Sequence, residues 1–166
     1  MDTTFIISIV ILILSLVIHE LGHAYAATIL GDDIPRLQGR LSINPLRHLE
    51  WFGSLIFPGI LILTGSPLVF GWAKPVMFNE RNFTGTIGRR YGRVITALAG
   101  PLMNIIMAVV FGIISRIIFG VGGMSPELSI LFTIVVAINI SLALFNLIPL
   151  PPLDGHYIWD MIMPRS

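Results

Sequence analysis

The sequence has no cysteine and very little charge. Without cysteine, a disulfide-stapled scaffold and a thiolate-ligated metal site are both excluded, and the redox compartment leaves no mark. Charged residues make up 11% of the chain, against roughly 25% in ordinary soluble domains. With 55% hydrophobic residues and a mean hydropathy of +0.89, 166 residues of this kind exclude a water-soluble globule and imply a multi-span membrane protein. The start, Met1-Asp2-Thr3-Thr4, lacks a basic n-region, and no small-residue cleavage site follows the first apolar run. That run is therefore read as a retained span rather than a signal peptide. Nucleotide loops, nucleophilic triads and basic nucleic-acid surfaces are missing too, so nucleic acid is not an expected partner.

What is present is a set of long apolar runs, over about 4–30, 94–119 and 127–148, each long enough to cross a bilayer as a helix. A fourth run, Trp51 to Phe70, is interrupted by Gly53, Pro58-Gly59, Gly65 and Pro67, which suits a re-entrant segment better than a crossing. Eight of the ten basic residues fall in two stretches, Gly31 to Glu50 and Gly71 to Arg93. The positive-inside rule places both in the cytoplasm and the N-terminus outside. A full crossing at 51–70 would strand five basic residues on the far side, so that run must enter and leave by one face. The stretch Phe70 to Val76 reads as a short edge strand. The expected fold is thus an all-α membrane protein, residues 1–166 forming a single embedded domain of three full transmembrane helices, one re-entrant segment and one edge strand.

Within the first run, His19-Glu20-Leu21-Gly22-His23 is the polar exception. An ionisable residue at the centre of a span costs roughly 2.5 to 3.5 kcal/mol on insertion scales, so such residues mark function by default. On a helix, His19 and His23 lie one turn apart on one face and can reach one metal ion, while Glu20 can reach a water on that ion. Catalytic zinc sites take three protein ligands. Asp154 is the leading third, because it follows a proline-broken helix end, and Gly155 permits a tight turn there. The parity of three crossings also brings Asp154 to the membrane face that His19 and His23 approach. The chemistry implied is hydrolysis of a peptide bond, with Glu20 as general base and one Zn2+ lowering the pKa of its water to roughly 7. Cobalt or iron could occupy the same ligands.

Other polar residues carry weaker expectations. His48 could enter the cavity, although loop histidines are usually structural, and His156 is a rival ligand or a solvated interfacial residue. Asn104 and Asn146 could orient the substrate amide or stabilise the oxyanion, whereas Asn139 reads as a buried amide joining helices. Trp72 and Lys74 could anchor at the interface or belong to a strand that pairs with an unwound substrate. Arg116 reads as snorkelling to the outer interface. Two other functions fit a His-Glu-Asp set at membrane depth: a divalent-metal transporter and a zinc-binding scaffold without activity.

These residues together resemble the site-2 protease family of intramembrane zinc metalloproteases. His19-Glu20-Leu21-Gly22-His23 is similar to its zinc motif, Ala99-Gly100-Pro101-Leu102-Met103-Asn104 to its central-span signature, and Asn146 through Pro149, Pro151 and Pro152 to Leu153-Asp154-Gly155 to its third-ligand motif. The resemblance covers most of the chain and keeps the motif order. It implies an endopeptidase that cuts single-pass membrane proteins within or near their spans and releases a fragment. It also favours a substrate-clamping strand at Phe70 to Val76. The chain is expected to lack the PDZ or CBS domain of larger members; the expected partners are a single-pass substrate, by resemblance, and the bilayer, with no reading of its oligomeric state.

Overall fold

The computed structural model describes residues 3–48 and 75–163, together with positions 56, 60, 63 and 64. Five α-helices are described: α1 (Thr3–Ile29), α2 (Ile34–Leu37), α3 (Gly85–Gly120), α4 (Pro126–Asn146) and α5 (Gly155–Ile162). Single 3-10 turns sit at Pro45–Arg47 and Glu80–Asn82. Helices α1, α3 and α4 are each long and apolar enough to cross a membrane. They pack against one another, and α5 folds back onto α3.

The bundle is apolar outside and carries a polar seam through its interior. Ile9, Val10 and Leu14 on α1, Ile105, Val109 and Ile113 on α3, and Leu144 on α4 are exposed, while Ser15, His19, His23, Thr96, Asn104 and Asn139 are buried. In water this arrangement would forfeit the hydrophobic effect, whereas in lipid the outer side chains cost nothing and the inner polar groups find each other. Small residues allow the helices to approach closely. A Cβ at Gly22 of α1 would stand 2.5 Å from the Ala99 carbonyl oxygen of α3, closer than packed atoms tolerate.

The loop after α1 ties the ends of α1 and α3 together. Gly31 takes φ +108°, a conformation open to glycine, and turns the chain away from the helix. Thr84, just before α3, donates its N–H to the Leu30 carbonyl at 2.8 Å. The fully buried Asp32 carboxylate accepts from Asn79 N–H and Asn82 Nδ2, both at 2.7 Å, and from Ile34 N–H at 3.2 Å. The C-terminal end of α1 and the N-terminal end of α3 therefore lie at the same end of the bundle. Arg93 extends this junction to α5, since its Nε lies 3.0 Å from Glu80 Oε1 and its guanidinium sits 4.4 Å from the Tyr157 ring centroid.

The helix boundaries depart from the hydropathy reading at one place. Helix α3 begins at Gly85 rather than Val94, so Arg89, Arg90 and Arg93 lie on a helix and not in a loop. Thirty-six residues make a rod of about 54 Å, longer than the roughly 30 Å hydrocarbon core. Arginine is a good helix former, and Gly92 leaves room for the Phe83 ring beside the first turns. Pro101 lies inside this continuous helix. Helix α4 ends at Asn146, just ahead of Pro149, Pro151 and Pro152, where chain without N–H donors cannot continue it. The re-entrant reading of 51–70 lies outside the described residues apart from isolated positions, as do residues 70–74 of the expected edge strand; of that stretch, Pro75 and Val76 are described and are not in a strand.

Candidate metal centre

Helix α1 carries His19 and His23 on its buried face, and both rings are seated against α3. Gly100 makes that seat possible. A Cβ there would meet His23 Nε2 and Cε1 and would stand 2.8 Å from His19 Cε1. The rings meet edge to face, their centroids 4.7 Å apart and their planes at 84°. Asp154 arrives from the broken end of α4. Gly155 lets the first turn of α5 tuck against the Leu147 and Ile148 carbonyls, and any side chain at Gly155 would collide with them. Asp154 Oδ2 then stands 3.1 Å from His19 Nε2 and 3.3 Å from His23 Nε2.

The outer nitrogens of the two rings are both engaged. His23 Nδ1 faces the Thr96 carbonyl oxygen at 2.7 Å, and His19 Nδ1 faces Asn104 Oδ1 at 2.6 Å. A carbonyl oxygen only accepts, so each Nδ1 carries the proton and donates it, leaving each neutral ring with a lone pair on Nε2. The two Nε2 atoms are 3.1 Å apart. Two imidazole lone pairs and a carboxylate oxygen thus converge on one point. Asp154 Oδ2 is buried there without a hydrogen-bond partner. Three acceptors this close repel one another unless a cation lies among them, and nitrogen and oxygen donors of this kind suit zinc. Among the described residues, His19, His23 and Asp154 form the one group able to hold a metal, with ligand atoms all within 4.8 Å of one another.

Glu20, the next residue of α1, is half-buried, and its Oε2 accepts the Val76 N–H at 3.1 Å. The loop after α1 contributes a buried cation. Arg40 is fully buried and donates Nη1 to the Arg47 carbonyl at 2.8 Å; burial pushes its pKa down, against the upward pull of the Glu20 carboxylate.

The remaining sequence candidates separate cleanly. Asn104 meets the cluster through its Oδ1, which accepts from His19 Nδ1. Asn146 turns back on its own helix and donates Nδ2 to the Leu142 carbonyl at 3.0 Å. His48 is buried and donates Nε2 to the Ser42 carbonyl at 2.7 Å, within its own loop. His156 faces Asp160 Oδ2 at 3.5 Å and does not join the group. Trp72 and Lys74 lie outside the described residues. Sequence reasoning missed the Thr96 carbonyl and the Val76 N–H, since a backbone atom has no residue type to betray it. Gly100 stood in the sequence only as part of the central-span signature; its contact with the two rings is seen in the structure alone.

The relatives that the chain matches are named for zinc. The chain is 40% identical over 162 residues to "Putative zinc metalloprotease YwhC" of Bacillus subtilis, a match that covers 94% of the chain and 68% of YwhC. It is 28% identical over 147 residues to "Putative zinc metalloprotease Rip2" of Mycobacterium tuberculosis, and 26% identical over 155 residues to the protein of that name in Mycolicibacterium smegmatis. Those matches cover 87% and 92% of the chain but only 52% and 55% of the mycobacterial proteins, so the chain spans about half their length. No family model matches the chain, and no solved structure matches it.

Proposed function

Since the chain belongs to the zinc metalloprotease family of YwhC, we propose that it is an intramembrane endopeptidase of the site-2 type, hydrolysing peptide bonds of single-pass membrane proteins within or near the bilayer and releasing a fragment. The observation that carries this reading is the convergence of His19 Nε2, His23 Nε2 and Asp154 Oδ2, with Glu20 the neighbour of one ligand. His19, His23 and Asp154 would hold one zinc ion. When bound, zinc supplies Lewis acidity, which brings the pKa of water to roughly 7 and polarises a carbonyl.

The chain's own residues do the rest. His19 and His23 keep their Nδ1 protons on Asn104 and Thr96, so their Nε2 lone pairs stay directed inward. Glu20 takes a proton from water and returns it to the leaving amine. Its carboxylate is held by the Val76 N–H, so the backbone at Val76 borders the base. A helical substrate hides its amides, so cleavage needs an extended segment. We assign Trp72 and Lys74, close before Val76, to that substrate path. On the charge bias, we read the ends of α1 and α4 that bear the site as cytoplasmic and the N-terminus as outside. A metal transporter would need ligands along a path through both faces. Among the described residues the metal-type groups form a single cluster.

The test compares purified wild type with Glu20→Gln on a single-span substrate, measuring cleavage by mass spectrometry and zinc by elemental analysis. Both proteins should hold one zinc per chain, and cleavage should fall by at least about 100-fold in Glu20→Gln, the lower range for a general base. Zinc flux into liposomes without any cleavage by wild type would contradict the proposal and favour transport.

A further inference from the structure

A chain of amides runs from the backbone of α4 to the Nδ1–H of His19, and its direction is fixed at the far end. The Val135 carbonyl can only accept a hydrogen bond, and Asn139 lies 2.9 Å from it through Nδ2. The same Nδ2 donates to Ser15 Oγ at 2.9 Å. With its amide nitrogen so committed, Asn139 turns Oδ1 toward Asn104 and accepts from Asn104 Nδ2 at 2.9 Å. Asn104 Nδ2 spends its second proton on the Ser15 carbonyl, at a longer 3.3 Å. Only Oδ1 of Asn104 is then left to face His19 Nδ1. Both asparagines are fully buried, and among the described residues these are their hydrogen-bond partners.

We infer that Asn139 is a positioning residue for the metal centre, selecting through Asn104 the Nδ1–H form of His19 whose Nε2 can bind a metal. The inference rests on the reading of His19 as a ligand, not on the identity of the substrate. An asparagine side chain is nearly symmetric in shape, so Asn104 could turn over at little steric cost. Turned over, it would offer an N–H to His19 Nδ1 and favour the form protonated on Nε2, which cannot ligate through that atom. Asn139 prevents this by accepting from Asn104 Nδ2, where the other acceptor is only the more distant Ser15 carbonyl. His23 needs no such device, because its partner is the Thr96 carbonyl of the α3 backbone. Helix joining alone would also bury these amides, but it would not require the direction of the chain to matter.

A double-mutant cycle on the full chain in detergent separates the two roles, with zinc affinity read by competition against a chelating dye. Asn139→Ala should weaken zinc binding by about 10- to 100-fold, the range for partners of metal-bound histidines. In the Asn104→Asp background, the carboxylate presents an acceptor to His19 whichever way it turns. There, adding Asn139→Ala should cost less than about threefold, the two changes being coupled rather than additive. Equal losses in both backgrounds, whether from misfolding or from loosened packing, would overturn the inference, and so would an Asn139→Ala protein that binds zinc like wild type. A wild type that binds no more zinc than His23→Ala would instead overturn the metal-centre reading itself, and the inference with it.

Discussion

His19 and His23 are held by partners of different durability. The Thr96 carbonyl belongs to the α3 backbone and survives any substitution, while Asn104 is a side chain that depends on its own neighbours. What the two rings share is the absence of a side chain at Gly100. Gly100→Ala would place a methyl against His23 Nε2 and His19 Cε1, and because the obstacle is on helix backbone, the rings must give way. Displacements near 1 Å at such a centre can cost on the order of 100-fold in rate. The expected outcome for Gly100→Ala is therefore loss of cleavage by at least about 100-fold with zinc binding weakened, while circular dichroism stays that of wild type. Undiminished cleavage would show that the rings do not sit where this centre needs them. At this scale the sequence was most legible where a residue was costly for its place: two histidines and a glutamate inside an apolar run admit few explanations. Asn104 was visible as a buried amide, but its role was not, since a side chain that serves a ligand and one that serves a substrate look alike in sequence. Asn146, equally prominent, bonds to its own helix.

Among the elements, the junction of α1 and α3 decides whether the histidines face Asp154. Asp32 is its centre, a buried carboxylate satisfied by three N–H donors from the segments on either side. Asp32→Ala leaves those donors without an acceptor, at about 1–3 kcal/mol for each that stays buried. The variant should unfold at a clearly lower temperature in detergent and be cut faster by trypsin within residues 75–84, which limited proteolysis and thermal scanning would measure. Asp32→Asn, which keeps one acceptor, should fall between the two. An Asp32→Ala protein as resistant as wild type would remove this junction from the account. Nothing in the sequence singled out Asp32, since an acidic residue after a span is ordinarily a solvated end. The early start of α3 was hidden for a related reason: hydropathy reports depth in the membrane, and arginines outside the hydrocarbon can continue a helix as well as end one.

As a whole, the described residues form a bundle with many apolar side chains facing outward and a polar seam of Ser15, His19, His23, Thr96, Asn104 and Asn139 within. That seam and the broken end of α4 give three crossings a purpose, because they bring residue 154 beside residues 19 and 23 at one end. Three spanning helices and their order were legible in composition and breakers alone. Their closeness was not, as it depends on Gly22, Gly100 and Gly155, whose missing side chains matter only once the neighbours are known. The central claim, that ligands from the two ends of the chain share one ion, is tested most directly by counting zinc in purified wild type, His19→Ala, His23→Ala and Asp154→Ala after dialysis against a weak chelator. Wild type should hold one zinc per chain and each variant less than about a tenth of that, as removal of any one of three ligands should do. Zinc retained at full stoichiometry by Asp154→Ala would contradict it.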